Sequence, residues 1–384
     1  VIAVLNPVTG SRIWSQDNGG FDMGDHYTQV HTGTGFIAQP IEQNIDTIRL
    51  YRYDEDVAGG SDIRINGLQT NTFTSDFAGD PTNNLSVGVN AFTGTFLEII
   101  AYACDNAHSG NLTEGIDLQR IESYLAIKHG TTLDQTTKTD YKLSDGTIVY
   151  DASAFADALS GDYDQNIAAI ARDDTSALSQ VISQSTNIGT VLTVQAVGEF
   201  SSSTIPNQSV SFVDMDDGEA LAWANTGTTS TFVAATTTEG NADQRLDTVW
   251  RLQETGDVGT VDFTFDSVVT DGELYYLLSD SDGDFSSDDA TEVTSAVAAG
   301  GEVVFSDVDP SSITYFTLGT SANGEITFAP TGVSSTTPNG FTEVGDNNGV
   351  VTGQLTFTLS GDTFADGDAN GILDPATYSI TNLP

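Results

Sequence analysis

Residues 260–278 read TVDFTFDSVVTDGELYYLL. Polar and apolar side chains alternate from Thr260 to Phe265, the period of a strand with one face turned inward. Leu274–Leu278 (LYYLL) is a short apolar run, and Asp271-Gly272 ahead of it has the chemistry of a hairpin turn. The same pattern recurs in both directions. Thr47–Tyr53 (TIRLYRY), Phe96–Tyr102 (FLEIIAY), Thr190–Ala196 (TVLTVQA), Val303–Phe305, Thr314–Leu318 (TYFTL) and Gln354–Leu359 (QLTFTL) read as strands. Asn66-Gly67, Asp145-Gly146 and Asp217-Gly218 supply further turns. The expected class is all-β, a string of jelly-roll and β-sandwich modules.

One segment has a different period. Glu114–His129 (EGIDLQRIESYLAIKH) sets Leu118, Ile121, Leu125 and Lys128 at helical spacing. Thr113 can cap its start, Lys128 and His129 suit its C-terminal dipole, and Gly130 suits the left-handed residue after it. A short helix over 114–129 is expected, closing the edge of a sheet. Glu114, Asp117 and Glu122 fall on it at a spacing that reads as solvated surface.

Charge narrows the function. The 384 residues carry 11 Lys+Arg against 55 Asp+Glu, a formal net charge of -44. Arg251 is the last basic residue, and 22 acidic residues follow it. Phosphate binding needs a cationic footprint, so nucleic acid is excluded as a partner, and so is docking on anionic lipid. Self-repulsion at this density calls for salt or for cations taken up by carboxylates. With 38% hydrophobic residues the chain can still bury a core. No uncharged apolar run reaches the roughly 18 residues of a membrane helix. The single cysteine, Cys104, excludes an intrachain disulfide and reads as a buried, inert thiol. Val1 opens the chain with no signal-peptide pattern, and we expect a piece of something longer.

Ile63–Gly67 (IRING), Val87-Gly88, Phe92–Tyr102 (FTGTFLEIIAY) and Arg120–Gly130 (RIESYLAIKHG) together resemble the late strands and closing helix of a laminin-G-like, concanavalin A-like jelly roll of bacterial surface proteins. Tyr141–Asp151 (YKLSDGTIVYD), Ile167–Leu178 (IAAIARDDTSAL) and Val249–Glu254 (VWRLQE) resemble an uncharacterised β module that follows such jelly rolls. From Gly324 onward, Thr327-Phe328, Gly353–Gly361 (GQLTFTLSG) and Ile380–Pro384 (ITNLP) resemble an immunoglobulin-like repeat of giant calcium-dependent adhesins. The expected domains are a partial jelly roll at 1–133, a β-sandwich module at 134–320 with a weaker break near 235–241, and an incomplete repeat at 321–384. The resemblance implies an extracellular, cell-surface location and carries no catalytic residues.

Two acidic loops are the candidate calcium sites. Asp280, Asp282, Asp284 and Asp288 stand at positions one, three, five and nine of a tight loop, which suits a hard cation seeking six to eight oxygens. Phe285 stands where such loops carry glycine. Asp366, Asp368, Asn370 and Asp374 follow the D-x-D-x-N-G pattern, with Thr377 in place of the closing glutamate. Asp214–Glu219 and Asp346–Asn348 read as plain turns. Glu325 and Asp346 are candidates for junction calcium. His26, His31, His108 and His129 show no metal spacing, and Gly33-Thr34-Gly35 reads as a turn.

These observations lead to a non-enzymatic structural or adhesive segment of a large surface protein or filament, stiffened by calcium. Its partners would be a cell-surface glycan or protein, or other copies of itself, the last by strand donation. The alternative is a calcium-dependent carbohydrate-binding module, with Trp14–Asn18 and Phe21–Tyr27 as the sugar loops. A polysaccharide hydrolase or lyase is the remote third reading, because two facing carboxylates on a candidate strand are lacking.

Overall fold

Ala220–Asn225 (ALAWAN) is buried at every position. Successive side chains of a strand point to opposite faces, and here the two sets differ in size. Ala220, Ala222 and Ala224 join one apolar core, while Leu221 and Trp223 join a second. A strand with both faces covered lies inside a layered structure, and the sheets around it show how.

The computed structural model describes residues 116–320, apart from 155, 158–160, 199–204, 208–214, 229, 240–241 and 286–289. It also describes the strands and one turn within 2–100, mostly by backbone alone. Among the described residues the fold is all-β with one α-helix. A nine-stranded antiparallel sheet runs in the order Leu178–Gln180, Gln165–Asp173, Ala220–Asn225, Trp250–Thr255, Tyr315–Thr320, Ala242–Leu246, Phe232–Glu239. Leu274–Asp280 also pairs with Tyr315–Thr320, and Thr291–Val297 lies beyond it. A four-stranded sheet, Ile182–Gln184, Leu192–Ala196, Val261–Asp266, Glu302–Val308, faces it. Between them sit Ile170, Leu221, Trp223, Leu252 and Leu318 from one sheet, and Val194, Phe265, Val303 and Phe305 from the other. Aromatic rings lock the middle. Trp250 stacks on Phe316 at 5.8 Å and meets Phe265 edge-on at 5.5 Å, and Phe263 meets Phe316 at 5.1 Å.

The segment 260–278 serves this sandwich differently from the hairpin that its turn suggests. Val261–Asp266 belongs to the four-stranded sheet and Leu274–Asp280 to the nine-stranded one. Phe263 and Leu277 therefore enter the same core from opposite sides. Facing sheets stand about 10 Å apart, and residues 267–273 carry the chain across that gap. Asp271 Oδ1 accepts the Gly301 N–H at 2.7 Å and fixes the crossing. Asn66-Gly67 does form a hairpin, with both residues at positive φ (48° and 83°), and Asp145-Gly146 turns the short hairpin of Tyr141–Lys142 and Ile148–Tyr150.

The other face of the large sheet is covered by the helix Ile116–His129 and by residues of 133–163. Leu118, Leu125, Ala126, Tyr141, Tyr150 and Tyr163 pack with the three alanines, Ile167 and Leu278. The helix lies on the sheet face beside the Leu178–Gln180 edge. Here the sequence reading is corrected: Glu122 is not solvated surface. It is 1% exposed, and the Arg64 Nε–H reaches its Oε1 at 2.8 Å. The helical surface expected to face water faces the Ser61–Ile65 strand instead.

Arg64 belongs to a five-stranded antiparallel sheet, in the order Thr93–Ile100, Ile2–Thr9, Thr47–Arg52, Ser61–Ile65, Leu68–Phe73. Smaller sheets join Trp14–Gln16 with Phe21–Asp22 and Leu85–Val87, and Tyr27–His31 with Phe36–Pro40. Residues 131–139, a polar connector in sequence, are bound into the fold: Leu133 N–H donates to Tyr141 Oη at 2.7 Å, and Asp134 N–H to Asn66 O at 2.6 Å. Residues 235–239, within the weaker break near 235–241, belong to the strand Phe232–Glu239, which pairs with Ala242–Leu246. By contacts the chain divides into Val1–Thr320 and Ser321–Pro384, and 321–384 lie outside the described residues.

The helix ends in a double backbone bond. Thr131 N–H donates to Ala126 O at 3.0 Å and Gly130 N–H to Ile127 O at 3.4 Å, with Gly130 at φ 65°. A Cβ at Gly130 would lie 2.1 Å from Gln184 O and 2.5 Å from Asn207 Nδ2. Asn207 in turn donates Nδ2–H to Gln184 O and accepts from Gln180, Ser183 and Gln184 N–H. Gly130→Ala adds left-handed strain to an overlap with backbone. It should lower stability by about 2–4 kcal/mol, read from the urea midpoint at unchanged slope.

Candidate functional site

The Asp280 loop follows Leu274–Asp280, so strand pairing fixes where it begins. Asp280 is buried, and its Oδ1 accepts the N–H groups of Asp282 at 2.9 Å and Gly283 at 2.5 Å. Asp282 Oδ1 accepts the Asp284 N–H at 2.9 Å. Gly283 stands at φ 81°, and a Cβ there would lie 2.6 Å from Tyr163 Oη and 2.9 Å from Tyr315 Cδ1. The sharp turn that Phe285 put in doubt is therefore made at Gly283. Phe285 is an anchor: it is 1% exposed within the helix-side core, under the Arg245 guanidinium at 5.4 Å.

In this arrangement Asp280 is inside, whereas Asp282 and Asp284 are exposed. Among the described residues, no three His, Cys, Asp or Glu side chains gather to hold a metal ion. Asp288 lies outside the described residues, as do Asp366, Asp368, Asn370, Asp374, Glu325 and Asp346. So do Cys104, His26, His108, Gly33, Gly35, Glu114 and the side chains of Trp14, Tyr27, His31 and Asp117. The 215–219 segment is a turn: Asp217 Oδ1 accepts the Asp174 N–H at 2.8 Å, and Glu219 Oε2 accepts the Asp216 N–H at 2.6 Å.

This use of carboxylates is general. Asp134, Asp145, Asp151, Asp257 and Asp309 each take backbone N–H groups at a turn, and Asp247 takes the Thr231 N–H beside a strand pair. Asp173 is buried and accepts from Ser144 N–H at 2.8 Å and Ser144 Oγ–H at 2.7 Å. Burial alone would raise its carboxyl, but these bonds and those from Ser176 outweigh it and hold the group below its ordinary range. The short aspartate side chain suits this role because its oxygens reach the N–H two residues on.

Sequence reasoning missed a charged cluster on the helix. Glu98, on the strand Thr93–Ile100, receives Lys128 Nζ at 3.0 Å, His129 Nε2 at 3.0 Å and the Tyr124 O–H at 3.1 Å. Lys128 also donates to Tyr124 Oη at 2.7 Å. Lys128 and His129 were expected to serve the helix dipole; they also bind a strand 30 residues upstream, a pairing that no local spacing announces. Burial pushes the Glu98 carboxyl up, but hydrogen bonds from His129, Lys128 and Tyr124 and the Lys128 charge bring it from 4.5 to about 2.

The family described as Domain of unknown function (DUF8202) matches residues 117–313, a span that takes in nearly all of the helix, the four-stranded sheet and every strand of the nine-stranded sheet except Tyr315–Thr320. No curated protein and no solved structure matches the chain.

Because the Glu98 carboxyl is lowered by folding, its stabilisation is complete above pH 4.5 and is lost as pH falls from there toward 2. Unfolding free energy should decline across that window. Glu98→Gln should flatten part of the decline, as measured by denaturant titration at stepped pH.

Proposed function

The chain belongs to the DUF8202 family, whose description assigns no activity, and on that premise we propose that it is a non-enzymatic structural and adhesive segment of a large extracellular, cell-surface protein or filament. One observation carries the reading: a nine-stranded sheet whose central strands are covered on both faces, with turns tied by the chain's own aspartates. Such a module resists deformation, because bending it must open a packed core on one side or the other. The acids that the charge count made conspicuous are spent on holding loops in place.

The resemblance to laminin-G-like jelly rolls and to repeats of calcium-dependent adhesins supports the same reading from the sequence. The residual charge of -44 would keep copies apart until cations screen it. Calcium held at the 280–288 and 366–374 loops would stiffen each loop. Among the described residues, no helix is long and apolar enough to cross a membrane.

Thermal melting tests the calcium part. At ionic strength held constant with NaCl, about 5 mM calcium should raise the midpoint by several degrees, and a chelator should reverse it. An identical melt with sodium alone would reduce the effect to screening and remove calcium from the proposal.

A further inference from the structure

A groove of about 630 Å³ lies where the Asn66-Gly67 hairpin meets the connector after the helix. This volume falls inside the range of about 300–1,000 Å³ typical of small-ligand sites. Asn66, Leu68, Asp134, Thr136, Gln165 and Asn187 supply the lining that matters here. We propose that this groove binds a short neutral oligosaccharide. The proposal names a ligand for the adhesive part of the reading above and rests on that part alone, not on calcium.

The walls are set before any ligand arrives. Asn66 Oδ1 accepts the Ile48 N–H at 2.8 Å, and Asn66 O accepts the Asp134 N–H at 2.6 Å. Asn187 Nδ2 donates to Thr132 Oγ1 at 3.0 Å and to Asn166 Oδ1 at 2.9 Å. Gln165 Nε2 donates to Asp164 Oδ1 at 2.8 Å. These bonds fix each amide by one end. Asn66 Nδ2, Asn187 Oδ1 and Gln165 Oε1 remain, and they make no hydrogen bond among the described residues. Amides held this way offer donors and acceptors at little ordering cost.

The mixture selects a class of ligand. A sugar hydroxyl donates and accepts at once, so it matches amides and carboxylates side by side. Asp134 and Asp164 line the groove, and Lys138 is already bound to Asp164 and Asp162. With a net charge of -44 on the chain, an anionic ligand is repelled. A lipid or other apolar molecule would bury these polar groups without partners. Leu68 is 41% exposed and offers a small apolar surface to the C–H groups of a pyranose ring. Among the described residues no aromatic ring lines the groove, so they do not supply the stacking that strengthens many sugar sites. Binding at a single site is then weak, suited to adhesion through many copies.

The test uses the full 384-residue chain in chelator, so that calcium plays no part. Neutral gluco-, manno- and galacto-oligosaccharides are compared with alginate oligomers by saturation-transfer NMR and titration. At least one neutral series should bind. Thr136→Met, which obstructs the groove from an exposed position with an apolar side chain that has no ring, should weaken it severalfold with an unchanged melt. Leu68→Ser should weaken it by a smaller factor and serves as the second variant. The proposal is overturned if no neutral oligosaccharide binds. It is equally overturned if Thr136→Met binds as well as the parent chain, or if only the anionic oligomers bind. A failed calcium melt leaves this outcome untouched, so the two readings fall separately.

Discussion

Side-chain size alternates along Ala220–Asn225, and the layering of the module depends on it. Leu221 and Trp223 fill the space between two sheets, where large side chains are needed to reach the opposite layer. Ala220, Ala222 and Ala224 face the other way, and their small volume lets the helix and the Tyr141–Tyr163 region come down onto the sheet. Reversing the pattern would leave a void on one side and an overlap on the other, each costing about 1–5 kcal/mol. Gln165–Asp173 follows the rule only from Ala169 onward, with Ala169 and Ala171 on the helix side and Ile170 in the sandwich; Ile167 on the helix side and Ala168 in the sandwich reverse it.

Given that layering, the helix can act as a clasp. Its inner face lies against the sheet, while Glu122 reaches Arg64 and its last turn reaches Glu98, both on the N-terminal sheet. Breaking a buried pair by removing one partner is costly, because the other charge is left without compensation. The cations are few, 11 among 384 residues, and several of them sit at these junctions. Arg64, Lys128 and Lys138 each bind an acid from a distant segment. In so anionic a chain a cation is the scarce partner, and it is placed where segments far apart in sequence must be held together.

Much of this was legible in the residues. The alternation at 260–265, the run at 274–278, the helix and its terminal glycine, and the Asn66-Gly67 hairpin are all local signals, and local signals survive translation into structure. The misreadings have a common cause. Asp271-Gly272 has hairpin chemistry, yet it lies in a crossing between sheets, because the partner of each strand is chosen by the core and not by the turn. Glu122 has the spacing of a solvated helix face, yet it is buried, because a second sheet covers that face. The candidate site was legible only in part: Asp280, Asp282 and Asp284 are in a tight turn as read, but which of their oxygens the backbone takes could not be counted from the sequence. The groove lining joins residues 66, 68, 134–136, 165 and 187, and nothing in their spacing connects them.

What the sequence by itself determined is the all-β class, the position of the described helix among the strands, several turn residues, and a strongly anionic character. These follow from side-chain period, backbone preference and net charge, all of which act over a few residues or over the whole chain at once. What only the tertiary structure decided is which strand lies beside which, which acids are buried, and which polar groups share a concave surface. Those are set by contacts between segments tens to hundreds of residues apart, where burial and hydrogen-bond geometry, not local propensity, fix the outcome.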